Sequence, residues 1–468
     1  MEYKEFDVVV IGAGPAGTAA SLRAADLGAK TALISRSAFG GMAANEGPIP
    51  VRTLAQAARL LREARKLPSY GIAVTEPSID YPRLIARAGA SVAGARAHST
   101  LLEQSVKAGV AIFEDAGTAR FTDPQTIESE RGPALRAARS IICSGGISRS
   151  LDVPGAALTV TPAAAFLLKE VPKSLIVVGA GATGAQVASI FNAFGSRITL
   201  CQTGPRIVPT EDADVSSEVA RAFREDWIDV RERFAEILRF EPTPGGVRMI
   251  VRQDSNDIAL EAEYAVCAVG WVADTTGLNL AASGVRTNAR GFVEVDDTLR
   301  TSADHIFAAG DVLGRSMLVP QAVRDGFIAG NNAVGRSRIT VPAGAEPIGS
   351  FTDPEYAKVG LTEEEARARH DVLISSAAYE ETTRPIVDGR TRGFCKLVID
   401  RSTMLLLGCH IVGERAVEVA QMAAIAMTAG LRVDDLAKIP ISFPTYANVL
   451  GRAALRAVRL HAGNVYIE

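Results

Sequence analysis

Short apolar runs alternate with alanine-rich stretches through most of the first 335 residues of the chain. The run at residues 6–11 has the length and composition of a buried strand, and the alanine-rich segment that follows is typical of a helix. Strands that alternate with helices in this way form a parallel sheet covered by helices. The pattern therefore predicts a doubly wound α/β fold.

One strand, glycine turn, helix and strand design occurs twice, at residues 6–36 and at residues 174–202. The two copies are much farther apart than the repeats of a solenoid, which indicates two separate nucleotide-binding domains. A proline and a glycine at residues 153–155 interrupt strand-like sequence and predict a hinge that ends the first domain. From about residue 351 the pattern becomes mixed α+β, which predicts a third domain.

Composition and charge agree with a compact protein of several domains. The chain has 468 residues, of which 47% are hydrophobic and 22% are charged, so it resembles neither a disordered nor a collagenous protein. Its 50 Lys and Arg residues against 53 Asp and Glu residues give a net charge of -3. This balance excludes the basic excess of a general nucleic-acid binder, and we expect no nucleic-acid partner.

The cysteines and the apolar segments indicate the cellular compartment of the protein. The five cysteines are widely spaced, and neither they nor the five histidines show a metal-ligand pattern, so we expect reduced thiols and no metal site. The first strand starts too early to leave room for a signal peptide. The apolar stretch at residues 417–431 contains Glu418 and Gln421 and is too short to cross a bilayer, so it predicts a packed helix. These features predict a cytoplasmic protein without a membrane partner.

The strongest chemical signal is the pair of G-x-G-x-x-G turns that begin at Gly12 and Gly179. Each turn follows an apolar strand and precedes a helix, where the backbone can approach a pyrophosphate and the helix N-terminus adds positive potential. A third feature is the Gly-Asp step at Asp311, which can direct a carboxylate at cofactor hydroxyls. The residues alone predict two bound nucleotides, but they do not identify either as a flavin.

The two loops, IICSGG, VCAVG, FAAGD, FTDPE and the C-terminal PTYAN region together resemble the flavoprotein pyridine nucleotide-disulfide oxidoreductases. This family includes dihydrolipoamide dehydrogenase, glutathione reductase, mercuric reductase and soluble pyridine nucleotide transhydrogenase. The resemblance covers nearly the whole chain and implies two Rossmann-like domains and a C-terminal α+β dimerisation domain in a homodimer. The implied bounds are 1–153 with 273–342 for FAD, 154–272 for NAD(P) and 343–468 for dimerisation.

The resemblance also implies the cofactors, FAD and either NADH or NADPH. Ser35 stands where relatives have an acidic residue for the adenosine ribose, so we expect weaker FAD binding. Gln202 stands at the corresponding position of the second site, near the cation Arg206, and predicts use of either coenzyme. The implied FAD contacts are Gly12, Gly14, Pro15, Ala16, Gly17, Ser35, Arg36, Gly41, Met42, Gly47, Arg52, Ser144, Gly145, Gly310, Asp311 and Ala322. The implied NAD(P) contacts are Gly179, Gly181, Ala182, Thr183, Gly184, Gln186, Gln202, Arg206 and Gly270.

The sequence departs from the family where the family places its redox relay. Relatives carry a disulfide beside the flavin, but here Ala43 and Pro48 occupy the two cysteine positions, and neither can replace a thiolate. The family's C-terminal His-Pro and its glutamate are here Phe443-Pro444 and Asn448, which cannot move a proton at neutral pH. These replacements predict that the usual reduction of disulfides, dithiols or mercury is lost.

The departures leave a flavin site with altered surroundings. Arg52 and Gln186 replace the family's lysine and glutamate near the flavin, which predicts a net positive site that raises the flavin potential. An ion pair of Arg52 elsewhere is the alternative. The residues expected to line an apolar acceptor pocket, some from the partner subunit, are Ala43, Pro48, Phe443, Tyr446 and Asn448. These side chains would equally well fill the space left by the disulfide.

We therefore predict an FAD-dependent NAD(P)H oxidoreductase that reduces a small non-thiol acceptor, such as a quinone, a dye-like compound, oxygen or a second nicotinamide, directly from the flavin. One alternative is a catalytically retired flavoprotein that serves as a redox sensor or scaffold. Another is an oxidoreductase on a specific metabolite held by Glu46, Tyr446 or Asn448. The complete second glycine loop favours an enzyme over a scaffold.

Overall fold

The structure is a computed structural model that describes residues 3–97, 100–234, 236–253, 255–335, 338–342 and 345–463. The helices are α1 (Pro15–Asp26), α2 (Gly41–Asn45), α3 (Pro48–Lys66), α4 (Tyr81–Ala97), α5 (Thr100–Lys107), α6 (Pro162–Ala165), α7 (Ala182–Ala193), α8 (Ala213–Glu225), α9 (Leu280–Ser283), α10 (Val319–Val334), α11 (Glu363–Arg367), α12 (Thr383–Val387), α13 (Ala416–Thr428), α14 (Val433–Leu436) and α15 (Asn448–His461). Single 3-10 turns lie at Leu67–Tyr70, Ala156–Leu158, Asp311–Leu313 and Tyr379–Glu381.

The strands are β1 (Lys4–Ile11), β2 (Thr31–Ile34), β3 (Ala111–Phe113), β4 (Ala119–Asp123), β5 (Thr126–Ser129), β6 (Leu135–Ile142), β7 (Gly146–Ser148), β8 (Ser174–Val178), β9 (Arg197–Cys201), β10 (Asp229–Arg231), β11 (Glu236–Thr243), β12 (Gly246–Gln253), β13 (Asn256–Ala262), β14 (Tyr264–Cys267), β15 (Trp271–Ala273), β16 (Ile306–Ala308), β17 (Ile348–Ser350), β18 (Tyr356–Gly360), β19 (Val372–Ala378), β20 (Phe394–Asp400) and β21 (Leu406–Val412).

The chain divides into two compact units. The first contains Met1–Leu54, Pro82–Arg149 and Gly270–Ala343, and the second contains Ala55–Tyr81, Ser150–Val269 and Gly344–Glu468. The first unit is thus built from separate stretches of chain, as expected for the discontinuous first domain. The grouping of residues 55–81 with the second unit was not indicated by the sequence. The three-domain bounds stay a prediction.

The first unit is built on a mainly parallel sheet. Strands β3, β2, β1 and β6 are neighbours in that order, β16 pairs with β6, and β4 and β5 extend the sheet in antiparallel fashion. Helix α1 packs on α10, where a methyl group on Gly330 would lie 2.4 Å from the carbonyl oxygen of Ala20. This close helix packing fixes α1 behind the sheet and its N-terminus at the end of β1.

The nucleotide-binding part of the second unit has a parallel sheet in the order β10, β9, β8 and β14, together with the antiparallel sheet β11, β12 and β13. All five residues of β8 are buried. A strand buried on both faces is apolar along its whole length, which explains the sequence SLIVV. The predicted doubly wound fold is confirmed in both units.

The C-terminal part of the second unit is an antiparallel sheet in the order β17, β18, β21, β20 and β19. Helix α13 packs on β18 and β21, and α15 packs on β19 and β20. The apolar stretch at residues 417–431 forms most of α13, so the predicted packed helix is confirmed. No helix in the described part of the chain is long and apolar enough to cross a membrane.

Candidate active site

The first glycine loop leaves one opening at the N-terminus of α1. Gly12 has φ +106, and a methyl group on Gly17 would lie 1.8 Å from the carbonyl oxygen of Gly12, so both positions require glycine. A methyl group on Gly14 would instead meet no protein atom within 4 Å. The loop is therefore packed on the protein side and open at the helix N-terminus, which is the cradle that a pyrophosphate occupies.

The second glycine loop has the same geometry. Gly179 has φ +93, a methyl group on Gly184 would lie 1.9 Å from the carbonyl oxygen of Gly179, and one on Gly181 would meet nothing within 4 Å. Gly14 and Gly181 are both extended N-cap residues, with φ -75 and φ -74. Both loops thus fit a dinucleotide pyrophosphate. Ala182 is exposed at the start of α7, and Thr183 beside it is half-buried.

The carboxylate of Asp311 lies beside the first glycine loop. Gly310 before it has φ +82, and a methyl group there would lie 2.9 Å from the side chain of Ala16. Burial raises the pKa of Asp311, and its carboxylate has no hydrogen-bond or ion-pair partner within the described ranges. The hydroxyl of Ser144 is also buried, and it has no hydrogen-bond partner in the part of the chain that the structure describes. Such unsatisfied groups fit a hydroxyl-rich ligand. Arg315, Met317, Gln321, Ala322 and Asp325 line the same cleft.

The residues after β2 differ from the usual ribose site. Ser35 is 6% exposed, and its N–H donates to the carbonyl of Phe113, which continues the strand pairing. Arg36 forms an ion pair with Asp274 at 2.9 Å between Nη1 and Oδ2. The sequence reasoning missed Asp274, which is distant in the chain and carries no motif. Ser35 supplies only a hydroxyl at this position.

Helix α2 carries the segment where the family resemblance predicted a replaced disulfide. Gly41 has φ +57, and a methyl group there would lie 2.7 Å from Cα of Gly14, so α2 begins against the first glycine loop. Met42 and Ala43 are half-buried, and Pro48 is exposed at the start of α3. Gly47 packs beside the sulfur of Met42. The segment therefore presents methyl, thioether and pyrrolidine groups but no thiol.

All five cysteines are buried in the cores of the two units: Cys143, Cys201, Cys267, Cys395 and Cys409. Burial raises the pKa of Cys201 to about 12 and that of Cys143 still higher. The two sulfur atoms of Cys395 and Cys409 are 3.8 Å apart, but both side chains are fully buried between β20 and β21. Buried neutral thiols of this kind are poor nucleophiles.

The loop after β9 holds the two residues expected to affect coenzyme choice. Oε1 of Gln202 accepts a hydrogen bond from the N–H of Ala180 at 3.1 Å, so the side chain folds over the second glycine loop. Nη2 of Arg206 donates to the carbonyls of Pro209 and Glu211. Gly270, with φ +110, belongs to the first unit.

The predicted flavin and acceptor residues fall in both units. Arg52 lies half-buried in α3 of the first unit, and Nε2 of Gln186 in the second unit donates to the carbonyl of Ala182. Ala43 and Pro48 lie in the first unit, whereas Phe443, Tyr446 and Asn448 lie in the second. The flavin pair and the acceptor pocket therefore stay predictions. Gly145, also predicted at the FAD site, has φ +83 and lies in the first unit.

The C-terminal residues are held by their own neighbours. The hydroxyl of Tyr446 donates to Oδ2 of Asp388 at 2.9 Å, and Oδ1 of Asn448 accepts from the N–H of Thr445 at 2.8 Å. Burial and the Asp388 carboxylate raise the pKa of Tyr446. Phe443 is 74% exposed. None of these side chains supplies a proton donor or acceptor that titrates near neutral pH.

A search of the described residues for clusters of histidine, cysteine and carboxylate side chains finds no group that could hold a metal ion. His98 lies outside the described residues.

The chain is similar to a large set of known proteins. The family described as pyridine nucleotide-disulphide oxidoreductase matches residues 6–326, and the dimerisation domain of that family matches residues 347–454. A mercuric reductase from Lysinibacillus sphaericus is 31% identical over 453 residues, which cover 96% of this chain and 82% of that protein. A dihydrolipoyl dehydrogenase from Zymomonas mobilis is 31% identical over 465 residues, which cover 97% and 98%.

The same similarity extends to solved structures. The HOCl-induced flavoprotein disulfide reductase RclA from Escherichia coli has a TM-score of 0.84 and 25% sequence identity, over 96% of this chain and 99% of that chain. These matches confirm the predicted fold class and the predicted cofactors, FAD and NAD(P)H. The match to the dimerisation domain supports a homodimer.

Proposed function

The chain belongs to the pyridine nucleotide-disulphide oxidoreductase family, and we propose that it is a member that works without thiols. In this proposal it is a flavin-dependent NAD(P)H oxidoreductase that reduces a small non-thiol acceptor directly from FAD. Quinones, dye-like compounds, oxygen and a second nicotinamide are the acceptor classes that fit such chemistry. The proposal concerns only the last step, because the family already establishes the two cofactors.

The observation that carries the proposal is the composition of the segment at residues 40–50. A dithiol relay needs two cysteine thiols near the flavin, and this segment contains no cysteine; its one sulfur atom is the thioether of Met42. All five cysteines are buried in the two cores, with the pKa of Cys143 and that of Cys201 raised by burial. A buried, protonated thiol is unsuited to thiol-disulfide exchange. Electrons must therefore leave by a route that requires no cysteine.

The residues of the chain hold and orient the two cofactors. Bound FAD accepts a hydride from the nicotinamide and releases electrons to an acceptor. The open helix N-terminus at Gly14 would present its N–H groups to the pyrophosphate of FAD, and the one at Gly181 would do so for the nicotinamide nucleotide. The partnerless carboxylate of Asp311 would accept hydrogen bonds from cofactor hydroxyls. Neither Phe443 nor Asn448 can exchange a proton at neutral pH, as reduction of a thiol substrate requires. The proposed acceptor is therefore one whose reduction needs no acid or base at these positions.

An anaerobic titration of the purified, flavin-loaded protein with NADPH or NADH tests the proposal. Without a redox-active disulfide, each flavin takes up the two electrons of a single NAD(P)H molecule, and the flavin bands bleach with no thiolate-to-flavin absorbance. Uptake of a second equivalent would contradict the proposal, because it would reveal a dithiol. A flavin that stays oxidised with both coenzymes would instead favour a sensor or scaffold.

A matched variant makes the titration sharper. The double substitution Ala43→Cys/Pro48→Cys restores sulfur at the two family positions, and we expect it to take up a second equivalent and to gain long-wavelength absorbance. The wild-type protein, which lacks those thiols, should still reduce the acceptor. A double variant that titrates like the wild type would mean that residues 43 and 48 do not lie beside the flavin.

A further inference from the structure

The loop that follows β9 is joined to the segment that follows β10. The N–H of Gln202 donates to the carbonyl of Arg231 at 2.8 Å, and the N–H of Phe234 donates to the carbonyl of Gln202 at 3.0 Å. The N–H of Arg233 donates to the carbonyl of Gly204 at 2.9 Å. In Rossmann folds the loop after this strand holds the adenosine ribose. These three bonds therefore place Arg233 at the edge of the ribose site.

Several arginines lie near this loop, and they differ in how they are paired. Arg231 binds Asp229 at 2.8 Å, and Arg224 binds Glu232 at 2.8 Å. Arg233 is exposed, and it has no carboxylate within ion-pair distance among the residues for which the structure gives a placement. Its backbone has φ +58. Arg233 lines an open concavity of about 500 Å³ beside β10, together with the paired side chains of Arg224, Asp229, Arg231 and Glu232.

The loop also lacks the carboxylate that would repel a phosphate. The residue after β9 is Gln202, and its Oε1 accepts a hydrogen bond from the N–H of Ala180. The two N–H donors of its Nε2 therefore remain available to a ligand. The carboxylate of Glu232 accepts from the N–H of Ile207 at 2.9 Å and from Arg224. With Glu232 paired to Arg224, the positive charge of Arg233 remains at the edge of the ribose site without an ion-pair partner among the residues that the structure describes.

We propose that the second nucleotide site selects NADPH over NADH and that Arg233 is the residue that binds the 2′-phosphate. This rests on the proposed function in that the second loop binds the reducing coenzyme. The guanidinium offers parallel N–H donors that match phosphate oxygens. Nε2 of Gln202, which lies beside Gly204, would supply a further donor. NADH lacks the phosphate and gains nothing from Arg233.

The test measures binding of two half-molecules, 2′,5′-ADP and 5′-AMP, to the full-length protein by isothermal titration calorimetry. They differ only by the 2′-phosphate, and neither can reduce a flavin. We expect the wild type to bind 2′,5′-ADP about tenfold more tightly or better. Arg233→Gln should lower 2′,5′-ADP affinity by about tenfold and leave AMP affinity unchanged, and Arg233→Lys should retain part of the preference.

The matched control is Arg231→Gln, which removes a neighbouring arginine that already has a carboxylate partner. We expect it to keep the wild-type preference. Equal affinity of the wild type for the two ligands would overturn the proposal. Loss of the preference in Arg206→Gln, with Arg233→Gln unaffected, would overturn it as well. Thermal unfolding midpoints of the variants show that any loss of binding is not a loss of fold.

Failure of this inference is distinguishable from failure of the proposed function. Tight binding of 2′,5′-ADP through Arg233, combined with uptake of a second reducing equivalent, would leave the coenzyme assignment standing and remove the thiol-free acceptor step. Equal affinity for the two half-molecules, combined with uptake of a single reducing equivalent, would remove the coenzyme assignment and leave the thiol-free acceptor step standing.

Discussion

At the scale of single residues, the glycines of each loop have two different tasks. Gly184 is needed because a methyl group would meet the carbonyl oxygen of Gly179 in the folded protein. Gly181 has no such neighbour, so the protein itself does not require glycine there. The free space beside Gly181 is instead available to a ligand phosphate. This difference separates a folding role from a binding role.

We predict that Gly181→Ala keeps the fold and weakens nucleotide binding. The melting midpoint and flavin content should stay close to those of the wild type, because an alanine N-cap costs about 1 kcal/mol or less relative to glycine. Binding of 5′-AMP should weaken by about tenfold, or about 1.4 kcal/mol, since the methyl group occupies the phosphate cradle. Gly184→Ala should instead fail to fold. Unchanged AMP binding in Gly181→Ala would argue against a pyrophosphate at this loop.

A second residue-scale feature is the carboxyl of Glu355 in the C-terminal part. Burial, with the nearby charges of Glu414 and Glu418, raises the pKa of Glu355 to about 7, against the opposing effect of Arg59 and Arg415. The folded state therefore binds this proton more tightly than the unfolded chain does. The stability contributed by protonated Glu355 is present at acid pH and is lost as pH rises toward 7.

We predict that Glu355→Gln is more stable than the wild type at pH 8 and nearly equal to it at pH 5. The shift in pKa corresponds to about 3 kcal/mol at most. Thermal unfolding of both proteins between pH 5 and pH 8 measures the difference. Glu76→Gln is the control, since its side chain is 76% exposed. A difference that does not grow with pH would contradict the raised pKa.

At the scale of elements, helix pairing in the first unit depends on two glycines of α10. Methyl groups on Gly326 and Gly330 would lie 2.1 Å and 2.4 Å from the carbonyl oxygens of Ala16 and Ala20. Since α1 carries the first glycine loop at its start, the contact with α10 sets the position of that loop. The glycines of α10 thus help to position the nucleotide-binding loop at the start of α1.

We predict that Gly330→Ala destabilises the protein although alanine favours helices. The methyl group cannot fit without moving α1, and overpacking of this kind costs about 1–3 kcal/mol. The control is Gly89→Ala in α4, where a methyl group meets nothing within 4 Å. That change should stabilise the fold by about 0.5–1 kcal/mol. Denaturant unfolding compares the two; similar effects would mean that α1 and α10 are not in close contact.

At the scale of the whole molecule, a buried ionic cluster ties the two parts of the second unit together. Lys396 of β20 is 4% exposed, and its Nζ lies 3.0 Å from Asp212, 2.6 Å from Asp214 and 2.5 Å from Glu363. The hydrogen bonds that Lys396 donates to these carboxylates raise its pKa despite its burial. The start of α8, in the nucleotide-binding part, is thereby fixed to the C-terminal sheet.

We predict that Lys396→Met lowers the free energy of unfolding by about 3 kcal/mol, because it leaves the buried carboxylate of Asp212 without its cation. Lys438→Met is the control, since Lys438 is 70% exposed beside Asp435 and should contribute little. Chemical denaturation of both variants gives the comparison. Equal unfolding midpoints would show that the cluster does not hold the two parts together.

Sequence periodicity was sufficient for the fold class and for both glycine loops, because those depend on local pattern and on backbone geometry. It did not reveal the pairing of Arg36 with Asp274 or the position of Arg233 beside Gly204. Both depend on which strands become neighbours. It also missed the grouping of residues 55–81 with the second unit, since that follows from packing between distant segments. The thiol-free chemistry inferred from residues 40–50, in contrast, stays a prediction.

The burial of all five cysteines has a practical consequence for survival under chemical stress. Electrophiles, heavy metals and hypohalous acids attack exposed thiolates first, and this fold offers them none. If the protein works without thiols, as proposed, its activity should survive reagents that block exposed cysteines in other enzymes.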